Sequence, residues 1–222
     1  MQQLNFQQIW RYREQLWQGL QVTLELTAIA VLAGLAIGLA GALLSRHGPR
    51  PAKLALRAYV EVFRNTPSLI QLFVVFFILP GLGLKLPPFA AAAVALSLYF
   101  GAYATEILRA GLDSIPRSQI EAGHCLGLSS WQVYRHIVLA PALRNVYPAL
   151  GSQLVILLLG TSLASQVSAE DLFHAGSFIE SRTYRSFEVY AVICALYFGL
   201  VLIVKAILAL AASRVFTWPV RR

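Results

Sequence analysis

Residues 113–143 read DSIPRSQIEAGHCLGLSSWQVYRHIVLAPAL, the only long stretch of the chain that is neither apolar enough to cross a bilayer nor rich enough in Gly and Ser to be a linker. Pro116 can open a helix in its first turn, where a missing N–H is no loss. Ser118–Leu126 then forms two turns. Gly127 stops them, because helices commonly end in a left-handed residue that glycine adopts freely. Ser129 and Gln132 have the spacing of a capping box and open a second short helix that includes Trp131–Leu139. Pro141 is expected to end it. The segment reads as helix, glycine turn, helix: compact, exposed, fixed at both ends, and suited to docking a soluble partner.

On either side the composition changes abruptly. Leu86–Thr105 before it and Asn145–Ala169 after it are runs of 20 and 25 residues without a formal charge. Further out lie Leu26–Leu44 with 19, Asn65–Leu84 with 20 and Val189–Val204 with 16. A bilayer core is spanned by about 20 apolar residues in a helix. Four runs suffice alone, and the fifth reaches length if Lys205 snorkels and residues 206–212 continue the helix. Over all 222 residues, 58% are hydrophobic and only 13% charged, against about 25% charged in a soluble domain. The expectation is an all-α membrane protein of one domain with five transmembrane helices at 19–45, 54–80, 87–112, 144–166 and 187–213. The 113–143 loop lies between the third and fourth, and 1–18, with Trp10, Arg11, Arg13, Glu14 and Trp17, forms an interfacial amphipathic helix. The first run begins too late and runs too long for a cleavable signal.

Basic residues favour the cytoplasmic side of short loops. Arg46, Arg50, Lys53, Arg57, Arg109, Arg117, Arg135, Arg144, Arg214, Arg221 and Arg222 fall on one side; Arg11, Arg13, Lys85, Arg182 and Arg185 fall on the other. Eleven against five place the N-terminus outside, the C-terminus in the cytoplasm, and Pro80–Pro88 and 167–185 as outside loops. The net charge of +8 is therefore read as topology, not as nucleic-acid binding. Gly34, Gly38 and Gly41 form a small-residue face in the first span, which lets a second helix approach closely.

Glu121-Ala122-Gly123, Gly127, and Ile137 and Leu139 resemble the EAA loop of ABC importer permeases, whose pattern is Glu-Ala-Ala, three residues, Gly, nine residues, Ile-x-Leu-Pro. Gly123 replaces the second alanine, and the proline stands one place late at Pro141. Phe63–Leu69 and Gly101–Gly111 are similar to the second and third spans of polar amino acid permeases, five-span relatives that import histidine, arginine, glutamine, glutamate or cystine. The resemblance, which runs from about Gly19 to near the end, implies the type I importer permease fold in a bacterial inner membrane. It implies docking to an ATP-binding subunit dimer through Glu121, Ala122, Gly123, Gly127 and Leu128, with ATP and Mg on that partner and no cofactor here. It also implies a second permease subunit, identical or homologous, and an extracytoplasmic solute-binding protein. Many relatives carry Lys-Asp before the Thr-Ser of the fourth span; here Leu159-Gly160 precede Thr161-Ser162, so an acid that can hold a cationic side chain is missing.

Charges inside spans are expensive and should be paired. Counting from the cytoplasmic ends, Glu61 lies level with Arg109, and Arg64 with Glu106, one turn deeper. Two readings stand: a gate at the inner end of a path, or bridges that fix helix register. Thr66, Ser68 and Gln71 around Pro67 in the second span and Thr161, Ser162 and Ser165 in the fourth are candidates to line the path, since a proline break exposes backbone polar groups. No phosphate-binding Gly-x-x-x-x-Gly-Lys motif, zinc-protease motif, serine nucleophile or cysteine framework occurs, and the four histidines are scattered. Beside an importer permease, a secondary transporter or channel needing no ATPase remains; it would usually show a repeated half. A membrane enzyme would need clustered catalytic residues.

Overall fold

A computed structural model describes residues 4–215, so Arg221, Arg222 and the first three residues of the expected interfacial segment lie outside the described residues. The described residues are almost entirely helical. α1 (Gln7–Trp10) is a single turn, and α2 (Arg13–His47) runs from there through the first apolar stretch. The separate interfacial helix expected at 1–18 is therefore not formed. Gly19, the one weak helix former at the boundary, is held in the helix by packing: a Cβ there would lie 2.8 Å from the Asp171 carbonyl.

The second apolar stretch departs from a straight span over 54–80. α3 (Arg50–Asn65) ends at Thr66, which is extended because it precedes Pro67. α4 (Ser68–Phe73) then continues through a π turn and a 3₁₀ turn to Leu82, and the two halves meet at 115°. α3 is amphipathic. Val60 is buried, with Leu56, Tyr59 and Phe63 partly covered, whereas Arg57, Glu61 and Arg64 are exposed. Four other helices are long and apolar enough to cross a membrane, and the bent pair makes a fifth crossing if it counts as one.

α5 (Pro88–Asp113) forms the third span, α6 (Arg117–Cys125) the first short helix of the loop, and α7 (Ser130–Gln132) opens the second. Pro141 does not end that second helix. α7 passes through a π turn at Val133–Leu139 into α8 (Ala140–Gly160), giving one rod over Ser130–Val167. The wide turn supplies the reason: Pro141 sits in the first turn of the α segment that follows it, where its missing N–H has no partner to lose. The connection 167–185, expected as an outside loop, contains α9 (Leu172–Thr183), and α10 (Ser186–Val215) is the last span.

The frame is set where α2 lies along α5. Gly34, Gly38 and Gly41 are all buried there. A Cβ on Gly38 would stand 2.5 Å from the Ala104 Cβ and 3.0 Å from its carbonyl carbon. The carbonyl carbon is helical backbone and the Cβ is bonded to it through Cα, so neither can give way. Gly38→Leu is expected to destabilise the folded protein by about 1–3 kcal/mol through overpacking, read as a lower Tm in detergent. Gly199→Ala, whose added Cβ meets nothing within 4 Å, should not lower Tm, since Ala is the better helix former, and serves as the control.

Candidate functional site

The 113–143 element is assembled from local signals. α6 ends at Cys125, and Gly127 adopts φ +79°, the left-handed turn that its sequence requires. The Leu128 N–H donates to the Gly123 carbonyl at 3.2 Å and the Gly127 N–H to the His124 carbonyl at 3.0 Å, which closes the helix end. Ser129 and Gln132 form the capping box, each side chain bonded to the other's backbone N–H. Gly123, the departure from the resembled pattern, has a packing reason: it is buried, and a Cβ would lie 2.5 Å from Ile137 Cδ1. Glu121 and Ala122 are exposed, Leu128 half-buried. Two residues that the motif reading passed over stand out on the same surface, Leu126 at 80% and Trp131 at 67% exposure. Both are exposed large apolar side chains within the polar 113–143 segment.

Above this element lies a chain of charges. The Arg64 Nη1 donates to Glu106 Oε2 at 3.2 Å, so that expected pair is formed. The second expected pair is not: Arg109 turns to Glu106 on its own helix, bidentate at 3.0 and 2.9 Å, and approaches Asp113 at 3.6 Å. Glu61 instead accepts from Asn65 at 2.9 Å. Depth alone matches Arg64 with Glu106, but azimuth decides the partner of Arg109, since Glu106 and Arg109 share a helix face at i, i+3. Asp113 also accepts from Arg46 of α2 at 3.1 Å. The chain borders a mostly polar cavity of about 540 Å³ between α2, α3 and α5. Arg64 also lies 5.7 Å from the centre of the Tyr103 ring.

The break at Pro67 is held by a side chain. Proline cannot donate to the carbonyl four residues back, that of Phe63. The Gln71 Nε2 donates there instead at 2.9 Å, and also to the Thr66 carbonyl and hydroxyl at 3.0 and 2.9 Å. Gln71 is buried, and its Oε1 has no donor among the described residues. Thr66 and Ser68 stand at the open side of the break, exposed and half-buried. In the fourth span, Ser162 and Ser165 are half-buried, whereas Thr161 is fully enclosed and donates to the Leu158 carbonyl at 2.7 Å. α4 packs against this 3₁₀ turn at Thr161–Val167, so the two polar stretches are brought together. Gly160 beside them faces open space: a Cβ would meet nothing within 4 Å.

The N-terminal part of α2 is tied to α9 and α10 by a group that the sequence reading missed. Asp171 is fully buried, caps α9 by accepting from the His174 N–H at 2.9 Å, and accepts from the Tyr197 hydroxyl at 3.1 Å. Thr23 of α2 accepts from the neighbouring Leu172 N–H at 3.1 Å. Burial pushes the Asp171 carboxyl up to about 6 against these hydrogen bonds. An acid directly before an apolar run, the N-cap position, was the available signal.

Over residues 20–217 the chain matches the family described as binding-protein-dependent transport system inner membrane component. The chain belongs to that family. Among its relatives, the glutamine transport system permease protein GlnP of Escherichia coli (strain K12) is 32% identical over 208 residues, covering 93% of this chain and 95% of that protein. The L-cystine transport system permease protein TcyB of Bacillus subtilis (strain 168) is 36% identical over 164 residues, 74% of this chain and 70% of that one. A crystal structure of an amino acid ABC transporter with histidines superposes with a TM-score of 0.88 at 34% identity, covering 96% of this chain and 100% of that one. This binding-protein-dependent transport component is thus a permease subunit of an ABC amino acid importer in the bacterial inner membrane. It has the type I permease fold, and the ATPase is a separate subunit. Permeases of this family work with ATPase and binding-protein partners. No cluster of potential metal ligands occurs among the described residues.

Proposed function

We propose that this permease docks an ATP-binding subunit dimer through Glu121, Ala122, Gly123, Gly127 and Leu128, with Leu126 and Trp131 completing the surface. ATP and Mg are held by that dimer. The N-terminus lies outside and the C-terminus in the cytoplasm, so amino acids arrive from an extracytoplasmic solute-binding protein. A second permease subunit, identical or homologous, faces the open side of this one across the path. Thr66, Ser68, Ser162 and Ser165 line the path, with Gln71 and Thr161 holding the two stretches from behind.

The observation that carries this reading is the chemistry of the side chains at the break and the 3₁₀ turn. Glu106 is engaged by two guanidinium groups, and the side chains around the break and the 3₁₀ turn are hydroxyls and amides. Such a wall binds an amino acid backbone without demanding a charged side chain. This subunit therefore contributes a neutral polar wall, and charge selection rests with a partner. Gly160→Asp tests it, because the new carboxylate has room. In the reconstituted complex, uptake is expected to shift from neutral towards cationic amino acids. Unchanged uptake of every substrate by a normally assembled complex would remove this stretch from the path.

A further inference from the structure

The cavity between α2, α3 and α5 has one wall whose carboxylates are all engaged in ion pairs and one whose charges are not. On the first wall each carboxylate holds two guanidinium groups: Asp113 engages Arg46 and Arg109, and Glu106 engages Arg109 and Arg64. On the other wall Lys53, Arg57 and Glu61 of α3 recur every four residues and stand one above another along the helix. None of the three forms an ion pair among the described residues. Lys53 donates to the Arg46 carbonyl at 2.9 Å, and Asn65 holds Glu61 towards the break at 2.9 Å. Arg57 preceding Glu61 is also the poorer orientation for a pair four residues apart on a helix. Two cations and then an anion, on a single face of α3, are left pointing into a polar cavity just below the Pro67 break.

We propose that this cavity is a release site for a zwitterionic α-amino acid, its carboxylate held between Lys53 and Arg57 and its ammonium on Glu61. The inference rests on the amino acid path described above. A phosphate or other plain anion would satisfy the two cations but set a like charge beside Glu61, whereas a zwitterion complements all three. Only the groups common to every α-amino acid are engaged, so the site is blind to the cargo side chain. Its groups are partly solvated, where ion pairs contribute little, and the resulting weak hold suits a site that must let go.

The test uses the assembled complex without ATP, carrying Ser45→Cys at the cavity wall in a Cys125→Ser, Cys194→Ala background. Reaction of the new thiol with a small hydrophilic reagent is followed by mass spectrometry. L-Glutamine at twice its dissociation constant is expected to slow the reaction about threefold. Glutaramate, which lacks the ammonium, and inorganic phosphate should not slow it, and Arg57→Ala or Glu61→Gln should abolish the protection. Protection by phosphate or glutaramate equal to that by glutamine would overturn the zwitterion site in favour of an anion site. Slowing that follows the anionic lipid content of the vesicles, with no effect of glutamine, would assign the cavity to a headgroup and equally overturn it. ATP-driven uptake measured on the same complex separates the levels: normal uptake without protection removes the release site alone, and absent uptake by the unsubstituted complex counts against the path itself.

Discussion

Gly127→Val is expected to abolish coupling: transport and substrate-stimulated ATP hydrolysis should both fall by about tenfold or more, while membrane insertion stays normal. A residue with a Cβ in the left-handed region costs about 1–2 kcal/mol, a β-branched one more. At φ +79° the strain is relieved only if the turn opens. Nothing lies within 4 Å of the position where the new Cβ would sit, so the fault is conformational and confined to the loop. Glu121→Lys should give the same phenotype by a different route. Glu121 is exposed and has no ion pair among the described residues, so its reversal costs little folding and changes only what the loop offers a partner. Full stimulation of hydrolysis in both variants would disprove the docking assignment.

Arg64→Glu should also cut transport strongly, because it sets two carboxylates about 3 Å apart where an ion pair stood. The expected size lies between two limits. An exposed pair is worth about 0–1 kcal/mol, and breaking a buried one costs about 3–5 kcal/mol. Arg64 is 43% exposed and Glu106 27% in the single subunit, and a second permease subunit facing this side would cover them further. Glu106→Arg should be worse than Arg64→Glu, since it confronts Arg64 and Arg109 together. Combining Arg64→Glu with Glu106→Arg should recover part of the activity: an ion pair of opposite polarity re-forms between α3 and α5, and Arg109 keeps Asp113 at 3.6 Å. Uptake by the three variants in proteoliposomes, with assembly checked by size-exclusion chromatography, decides it. A double variant no better than Glu106→Arg alone would reduce this pair to a register contact without a role in transport.

The arrangement explains why a charge cluster persists at this depth. Glu106 is the hub of α5, joining α3 through Arg64 and its own helix through Arg109, and Asp113 carries the chain on to α2 through Arg46. Three helices are thereby fixed to one another just above the docking element.

Much of this was legible in the residue order. The apolar runs set the number of crossings, because only a helix of about 20 apolar residues satisfies its backbone across a bilayer. Gly127, the Ser129–Gln132 capping box and the Pro67 break are signals confined to a few neighbouring residues, and each is found where the spacing puts it. What the order could not decide was which surfaces meet. The 115° turn at Pro67, the choice of Arg109 for Glu106 over Glu61, the repair of the Phe63 carbonyl by Gln71, and the burial of Asp171 against Thr23, Leu172 and Tyr197 all depend on helix rotation and approach. Those are set by close packing such as Gly38 on Ala104, between residues far apart in the chain. Local hydrogen-bond geometry is written within one helical turn, whereas the partner of a charge is fixed only once the helices have been packed together.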